Sequence, residues 1–335
     1  MDSESQEPIS VSKTARKRFH GIVVPMLTPA TEDGRIDEDS ADRLIGTLVD
    51  AETDPFLFGT TGEASSIPSS EKIRLAEHLC PRFVDRTTVY MGISSNCLAD
   101  SIDLAQRFAD LGVQVAVANL PSYLDLRPDQ TLKYFERLAD AIPLPLIIYN
   151  IPITTHMSIS LEIVETLSHH PNIAGLKDSE RDLERLKSAT AQFKDRDDFC
   201  HLTGWAAQSV NALQWGSDGL VPVTANLVPE LYLDLYNATI QGDSDTANRL
   251  QNETNEISKI FQENRSLGDS LASIKALLNV SGICGTSMFP PLTAVTKEDE
   301  AQLTAKWTTF NKSWEQASHH APADRMRVNL TRNRA

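Results

Sequence analysis

Residues 145–179 read PLIIYNIPITTHMSISLEIVETLSHHPNIAGLKDS, and this stretch decides the fold. It opens on the apolar run Pro145–Tyr149 and closes on a second, Asn172–Lys177, with the helically spaced segment Ser160–Ser168 between them. A run that is apolar at successive positions, rather than at alternate ones, reads as a strand buried on both faces. Strand, helix, strand is the unit of a parallel sheet. The unit repeats outward in both directions. Further apolar runs lie at Gly21–Leu27, Pro55–Phe58, Thr87–Ile93, Val113–Asn119, Phe199–Thr203 and Gly219–Val223, making eight in all. Segments with apolar residues at helical intervals follow them: Asp39–Ala51, Ser69–Val84, Leu98–Leu111, Pro128–Ala141, Glu180–Phe193, Ala206–Trp215 and Pro229–Ile240. Ser69-Ser-Glu-Lys reads as a helix cap, and Pro128 stands at a first helical position, where its missing N–H is no loss.

Eight such units in series close a barrel, so the expected fold is α/β, a (β/α)8 TIM barrel over residues 19–241. Three more helical segments, Ser244–Gln262, Asp269–Asn279 and Lys297–Glu315, have no place inside a closed barrel. They are expected to form a C-terminal helical extension, residues 242–317, on its outside or rim. Residues 1–18 and 318–335 are expected to be a disordered leader and a loose tail, with Lys13, Arg16, Lys17 and Arg18 a solvated charge cluster.

Composition narrows the function. The 335 residues are 41% hydrophobic, enough for a sizeable core, and the formal net charge is −15. That balance argues against nucleic acid or an anionic membrane as a partner, yet leaves room for a local pocket that holds a small anion. No run approaches the length of a membrane span, and Met1–Arg18 lacks the apolar centre of a signal peptide, so a cytoplasmic protein is expected. Cys80, Cys97, Cys200 and Cys284 are too scattered for a disulfide framework or zinc site, and the histidines show no metal spacing. His169-His170 ends a predicted helix and His319-His320 lies in the tail. Phosphate-loop glycine patterns are absent. No metal or cofactor is expected.

Barrel enzymes place their chemistry at the C-terminal ends of the strands. Here those ends carry Gly59-Thr60-Thr61-Gly62-Glu63, Pro121-Ser122-Tyr123, Tyr149-Asn150-Ile151-Pro152, Lys177-Asp178-Ser179 and Thr203-Gly204. Lys177 follows Ile173-Ala-Gly-Leu176, so its stem lies among apolar neighbours. A desolvated lysine loses its proton readily, and only the neutral amine attacks a carbonyl. The competing reading is a lysine that snorkels out of the barrel end. Tyr149 is either a proton relay at the neighbouring strand end or a core tyrosine with a satisfied hydroxyl. The Gly59–Gly62 turn offers an anion nest for the carboxylate of a 2-oxo acid, or is an ordinary strand-to-helix turn. Glu63 reads as structural, bonding backbone donors beside that turn. His156 shares the rim loop with Tyr149 and reads first as a loop residue.

Together, Gly-Thr-Thr-Gly-Glu, Tyr-Asn-Ile-Pro and Gly-Leu-Lys resemble the dihydrodipicolinate synthase / N-acetylneuraminate lyase family of pyruvate-dependent class I aldolases, from about Gly21 to about Leu292. The resemblance implies that Lys177 forms the Schiff base and that Tyr149 shuttles protons. It implies that Thr60 and Thr61 hold the pyruvate carboxylate, and that Gly204 and Val221 line the pyruvate pocket. It further implies that Tyr123 reaches a neighbouring subunit's site in a dimer or tetramer. Two departures stand out. Thr154 occupies the place where the synthases carry an arginine that grips the second substrate, and Trp205-Ala206-Ala207 replaces the Asp-Glu pair of the sialic acid lyases. Lys177-Asp178-Ser179 is closer to members resembling 4-hydroxy-2-oxoglutarate aldolase. The leading expectation is a lyase that makes or breaks a C–C bond between pyruvate and an aldehyde, on a 2-oxo-3-deoxy or 4-hydroxy-2-oxo acid. Ser179, Thr154, His156 and Trp205 are candidates for its distal part. A dehydratase of 2-oxo-3-deoxy sugar acids and the synthase itself are the alternatives, with a non-catalytic oxo-acid binder behind them.

Overall fold

The structure, a computed structural model, describes residues 17–318. Eight parallel strands form its centre: β1 Gly21–Pro25, β2 Asp54–Leu57, β3 Tyr90–Gly92, β4 Val115–Asn119, β5 Leu146–Asn150, β6 Ile173–Asp178, β7 Cys200–Thr203 and β8 Gly219–Leu220. Each pairs with the next, and Gly21 opposite Gly219 closes the barrel between β1 and β8. Around it run α1 Glu38–Asp50, α2 Ser69–Phe83, α3 Leu98–Asp110, α4 Pro128–Ala141, α5 Pro152–Thr155, α6 Leu161–Leu167, α7 Leu183–Phe193, α8 Ser209–Trp215 and α9 Pro229–Ile240. The extension is α10 Ser244–Gln262, α11 Leu267–Val280 and α12 Lys297–Ser318. The chain is therefore a (β/α)8 TIM barrel with C-terminal helices, as the repeat of apolar runs requires. Among the described residues no helix is long and apolar enough to cross a membrane, and no group of three or more His, Cys, Asp or Glu could hold a metal ion.

Two buried layers follow from the pleat, which sends successive side chains to opposite faces. Phe56, Tyr90, Val117, Ile147, Leu202 and Val221 point into the barrel and fill it. Leu57, Met91, Ala116, Ile148 and Leu220, their neighbours in sequence, point outward to meet the helices. Local caps set where helices begin. Asp37, Ser160, Asp182, Asp243 and Ser266 each accept a hydrogen bond from a backbone N–H of the first turn they precede.

Four local expectations change. Ser69-Ser-Glu-Lys does not cap α2; Pro68 precedes the helix, and no side chain bonds its first turn. The segment after β6 becomes helical only at Leu183, because Asp182 caps it there, which leaves Glu180 in the rim loop. β8 is two residues long, since Val223–Asn226 turns at once into a short 3-10 helix. Lys17 is not solvated: its side chain is 7% exposed, and Nζ lies 2.9 Å from Asp218 Oδ2 while donating to the carbonyls of Phe193 and Phe199. The rest of the expected leader, 1–16, and the tail from 319 lie outside the described residues.

His201 on β7 is fully buried; its Nδ1 lies 3.1 Å from Ser217 Oγ, and Nε2 has no partner among the described residues. Burial pushes its pKa down from 6.5 to about 4. The folded value lies below the unfolded one, so this stability is whole above pH 6.5 and drains as pH falls toward 4. The loss is on the order of 3 kcal/mol at its fullest. Urea midpoints should drop between about pH 7 and about pH 4.5, and the drop should shrink in His201→Gln. An equal drop in both proteins would remove His201 as its source.

Candidate active site

Tyr149 of β5 stands directly opposite Lys177 of β6 in the parallel ladder. Both side chains therefore enter the same end of the barrel. The Lys177 nitrogen lies 3.7 Å from the centroid of the Tyr149 ring and 4.7 Å from that of Phe56. The residue is 5% exposed, and no carboxylate pairs with it among the described residues. Without an anion to hold the proton, desolvation dominates, and burial pushes the amine from 10.5 down to about 7. Roughly half of it is then neutral near pH 7, the form that attacks a carbonyl. The snorkelling alternative is excluded by that burial.

The Tyr149 hydroxyl lies 3.4 Å from Thr60 Oγ1. Burial pushes the phenol up, and the hydroxyls of Thr60 and Ser179 pull it partly back. It thus stays protonated at neutral pH, able to donate and accept. The turn that carries Thr60 and Thr61 is tightly built. Phe58 and Glu63, which bracket it, both have left-handed backbones, with φ of 56° and 54°. Such angles are rare without glycine and persist only where the surroundings enforce them. Gly62 O accepts from Thr28 Oγ1 at 2.8 Å, and Glu63 N donates to Thr60 O at 3.1 Å. Gly92 completes the fit, because a Cβ there would fall 1.9 Å from Phe58 O.

A polar network behind the strands fixes the two key residues relative to each other. Asp178, next to Lys177, points the other way and is buried. Its carboxylate meets Arg185 Nε at 2.7 Å and accepts from Asn150 Nδ2 at 2.9 Å. Asn150 in turn donates to Glu180 and accepts from Ile159 N at 3.0 Å. Ser179 N donates to Asn150 O, so the ends of β5 and β6 are tied through both backbone and side chains. Gly204 N donates to Asp178 O at 2.6 Å, and a Cβ on Gly204 would sit 2.0 Å from Ser179 Oγ, so glycine there makes room for that hydroxyl.

Lys177, Tyr149, Thr60, Ser179, Gly204 and Val221 are thus gathered at one mouth, with Val221 and Tyr149 in the cluster that fills the barrel. Thr61 is buried in the same turn as Thr60. Thr154 lies in α5, its hydroxyl donating to Ile151 O at 3.3 Å. His156 ends α5 with a left-handed backbone and an exposed side chain. Trp205 is half-buried at the turn after β7. Tyr123 is not gathered with them: it is 85% exposed, beside a cavity of about 380 Å³ that also involves Asn96, Leu124 and Tyr134. Asn150 stands in the expected strand-end motif without a role, and Phe56 and Arg185 are not among the expected site residues. Phe56 was detectable in principle, since strand alternation turns it inward with Lys177. Arg185 had no signal, as its contact depends on how α7 docks.

The family described as the dihydrodipicolinate synthetase family matches residues 18–309. A 4-hydroxy-tetrahydrodipicolinate synthase of Acidiphilium cryptum is 35% identical over 70% of this chain and 80% of its own length. A protein of the same name in Hyphomonas neptunium is 29% identical over 86% of this chain and 97% of its own. The dihydrodipicolinate synthase structure from Bacteroides thetaiotaomicron superposes with a TM-score of 0.83 at 28% identity, covering 88% of this chain and 99% of the other. YagE of E. coli K12, solved in complex with pyruvate, superposes with a TM-score of 0.82 at 26% identity over 88% and 99%.

The depressed amine can be measured without any substrate. Labelling with an amine reagent, read peptide by peptide in a mass spectrometer, should give Lys177 a midpoint near pH 7. A lysine side chain free in water titrates at about 10.4. A Lys177 midpoint in that upper range would show a hydrated ammonium.

Proposed function

The chain belongs to the dihydrodipicolinate synthetase family, and from that premise we propose that it is a class I aldolase-type lyase whose Lys177 forms a Schiff base with pyruvate or a related 2-oxo acid. One observation carries the proposal: a desolvated amine, free of any carboxylate among the described residues, pressed against the Tyr149 phenol at the end of a barrel strand. The carboxylate of the oxo acid sits on the Thr60–Thr61 turn. Lys177 adds to C2, and Tyr149 gives a proton to the departing hydroxyl as water leaves the carbinolamine. The protonated imine then draws electrons from the C3–C4 bond as the Tyr149 phenolate takes the C4 hydroxyl proton and an aldehyde leaves, or it loses a C3 proton to that phenolate and becomes an enamine that adds to an aldehyde. It supplies the stabilisation that a metal ion provides in other aldolases, so no metal or cofactor belongs to this reading.

The second substrate is assigned from the rim. Arginine grips a carboxylate with a planar fork, which threonine cannot imitate. Thr154 is neutral, and its hydroxyl is taken up within α5. That favours an aldehyde without a carboxylate clamp, released from or added to a 4-hydroxy-2-oxo or 2-oxo-3-deoxy acid, with Ser179, Thr154, His156 and Trp205 along its path. The synthase reading is favoured by one observation, the names of the relatives. Tyr123 and Leu124, 85% and 68% exposed, present an aromatic and apolar surface suited to a second copy of the chain, in a dimer or tetramer. A cytoplasmic location is part of the same reading.

Borohydride with pyruvate should add one trapped adduct to the intact mass, and Lys177→Ala should add none. Tyr149→Phe should lower the trapping rate by roughly a hundredfold or more. Pyruvate should appear from a panel of 4-hydroxy-2-oxo and 2-oxo-3-deoxy acids. With pyruvate plus aspartate semialdehyde, consumption should stay near background; a fast rate there would establish the synthase reading instead. Binding of pyruvate with no adduct would leave only an oxo-acid binder.

A further inference from the structure

Glu63 and Lys275 are separated by most of the chain, yet their side chains meet at 2.5 Å, and both are 0% exposed. One Glu63 oxygen, Oε1, meets Lys275 as an ion pair and has no hydrogen bond among the described residues. The second Glu63 oxygen accepts from Phe289 N at 2.9 Å, and the Lys275 nitrogen donates to Ser287 O at 2.9 Å. The same nitrogen lies 5.4 Å from the Phe289 ring centroid. Both partners of the Glu63 carboxylate therefore come from the C-terminal extension: α11 and the segment that follows it. Glu63 itself is the left-handed residue that ends the Thr60–Thr61 turn.

An ion pair this buried pays heavily in lost hydration, and an apolar pair of equal volume would hold α11 in place as well. What an apolar pair would not do is fix direction. A carboxylate with a partner on each oxygen sets the rotation of its side chain and so the backbone angles behind it. We propose that Lys275 is a positioning residue for the oxo-acid carboxylate: through Glu63 it holds the Thr60–Thr61 turn in its anion-receiving shape. This rests on the functional reading given above and deepens it, because it makes the helical extension part of the substrate site. Lys275 touches no substrate; it acts only through Glu63.

The test is borohydride trapping as a function of pyruvate concentration, with Glu63→Gln and the double variant Glu63→Gln, Lys275→Met beside the unsubstituted chain. Glutamine keeps the volume and the bond to Phe289 N but loses the charge, and the double variant leaves no buried charge unpaired. In folded variants the half-saturating pyruvate concentration should rise roughly tenfold to a hundredfold, as for a binding group displaced by a fraction of an ångström. The amount of adduct formed at saturation should be unchanged, because the Lys177 nucleophile is retained. Folded variants that trap at the ordinary pyruvate concentration overturn the inference. So does failure of both variants to fold, which would make the pair a support of the fold instead. No adduct in the unsubstituted chain is a separate result, and it removes the Schiff-base reading along with this one.

Discussion

Everything at the barrel mouth answers to the desolvation of one amine. A lysine nitrogen enclosed by two aromatic rings and denied a counter-ion sheds its proton near neutrality. A protein carboxylate paired with the amine would hold its proton and lower the share of the neutral form. The strand itself prevents this. Asp178 is covalently next to Lys177, yet the pleat turns it to the outer face, where Arg185 neutralises it. The alternation that builds the core thus also separates the charges. Inside, the neighbours are rings, aliphatics and hydroxyls; outside, the acid, the guanidinium and the amide of Asn150 lock the strand ends.

The fold was legible because the barrel repeats itself. Eight apolar runs with helices between them leave little else to build, and every run did become a strand. The errors fall where no repeat operates. Val223 reads as the end of a strand by its side chain, but the chain turns after Leu220. Lys17 reads as a surface charge because its three acceptors come from near residues 193, 199 and 218, far away in sequence. The short helix α5 hides in a loop whose Pro152 signals only a turn.

The site divides along the same line. Lys177, Tyr149 and the threonine turn are visible because strand ends are visible, and strand ends are where such barrels keep their chemistry. Their residue types matched a known pattern at matching separations. Glu63 read as a backbone-binding acid, and it does accept from Phe289 N; its ion pair with Lys275 had no signal in the spacing. Likewise the place of Thr154 within α5 is a matter of loop geometry.

One further consequence follows from the seam between β1 and β8. Gly21–Pro25 emerges from the ribosome among the first parts of the barrel, but its partner on one side, Gly219–Leu220, is among the last. Until then the first strand has a row of unpaired backbone groups on an apolar ribbon, the sort of edge that seeks other chains. The finished barrel has no such edge. Its danger is therefore confined to the interval of synthesis, and a chain stalled before the eighth strand should be far stickier than the completed protein.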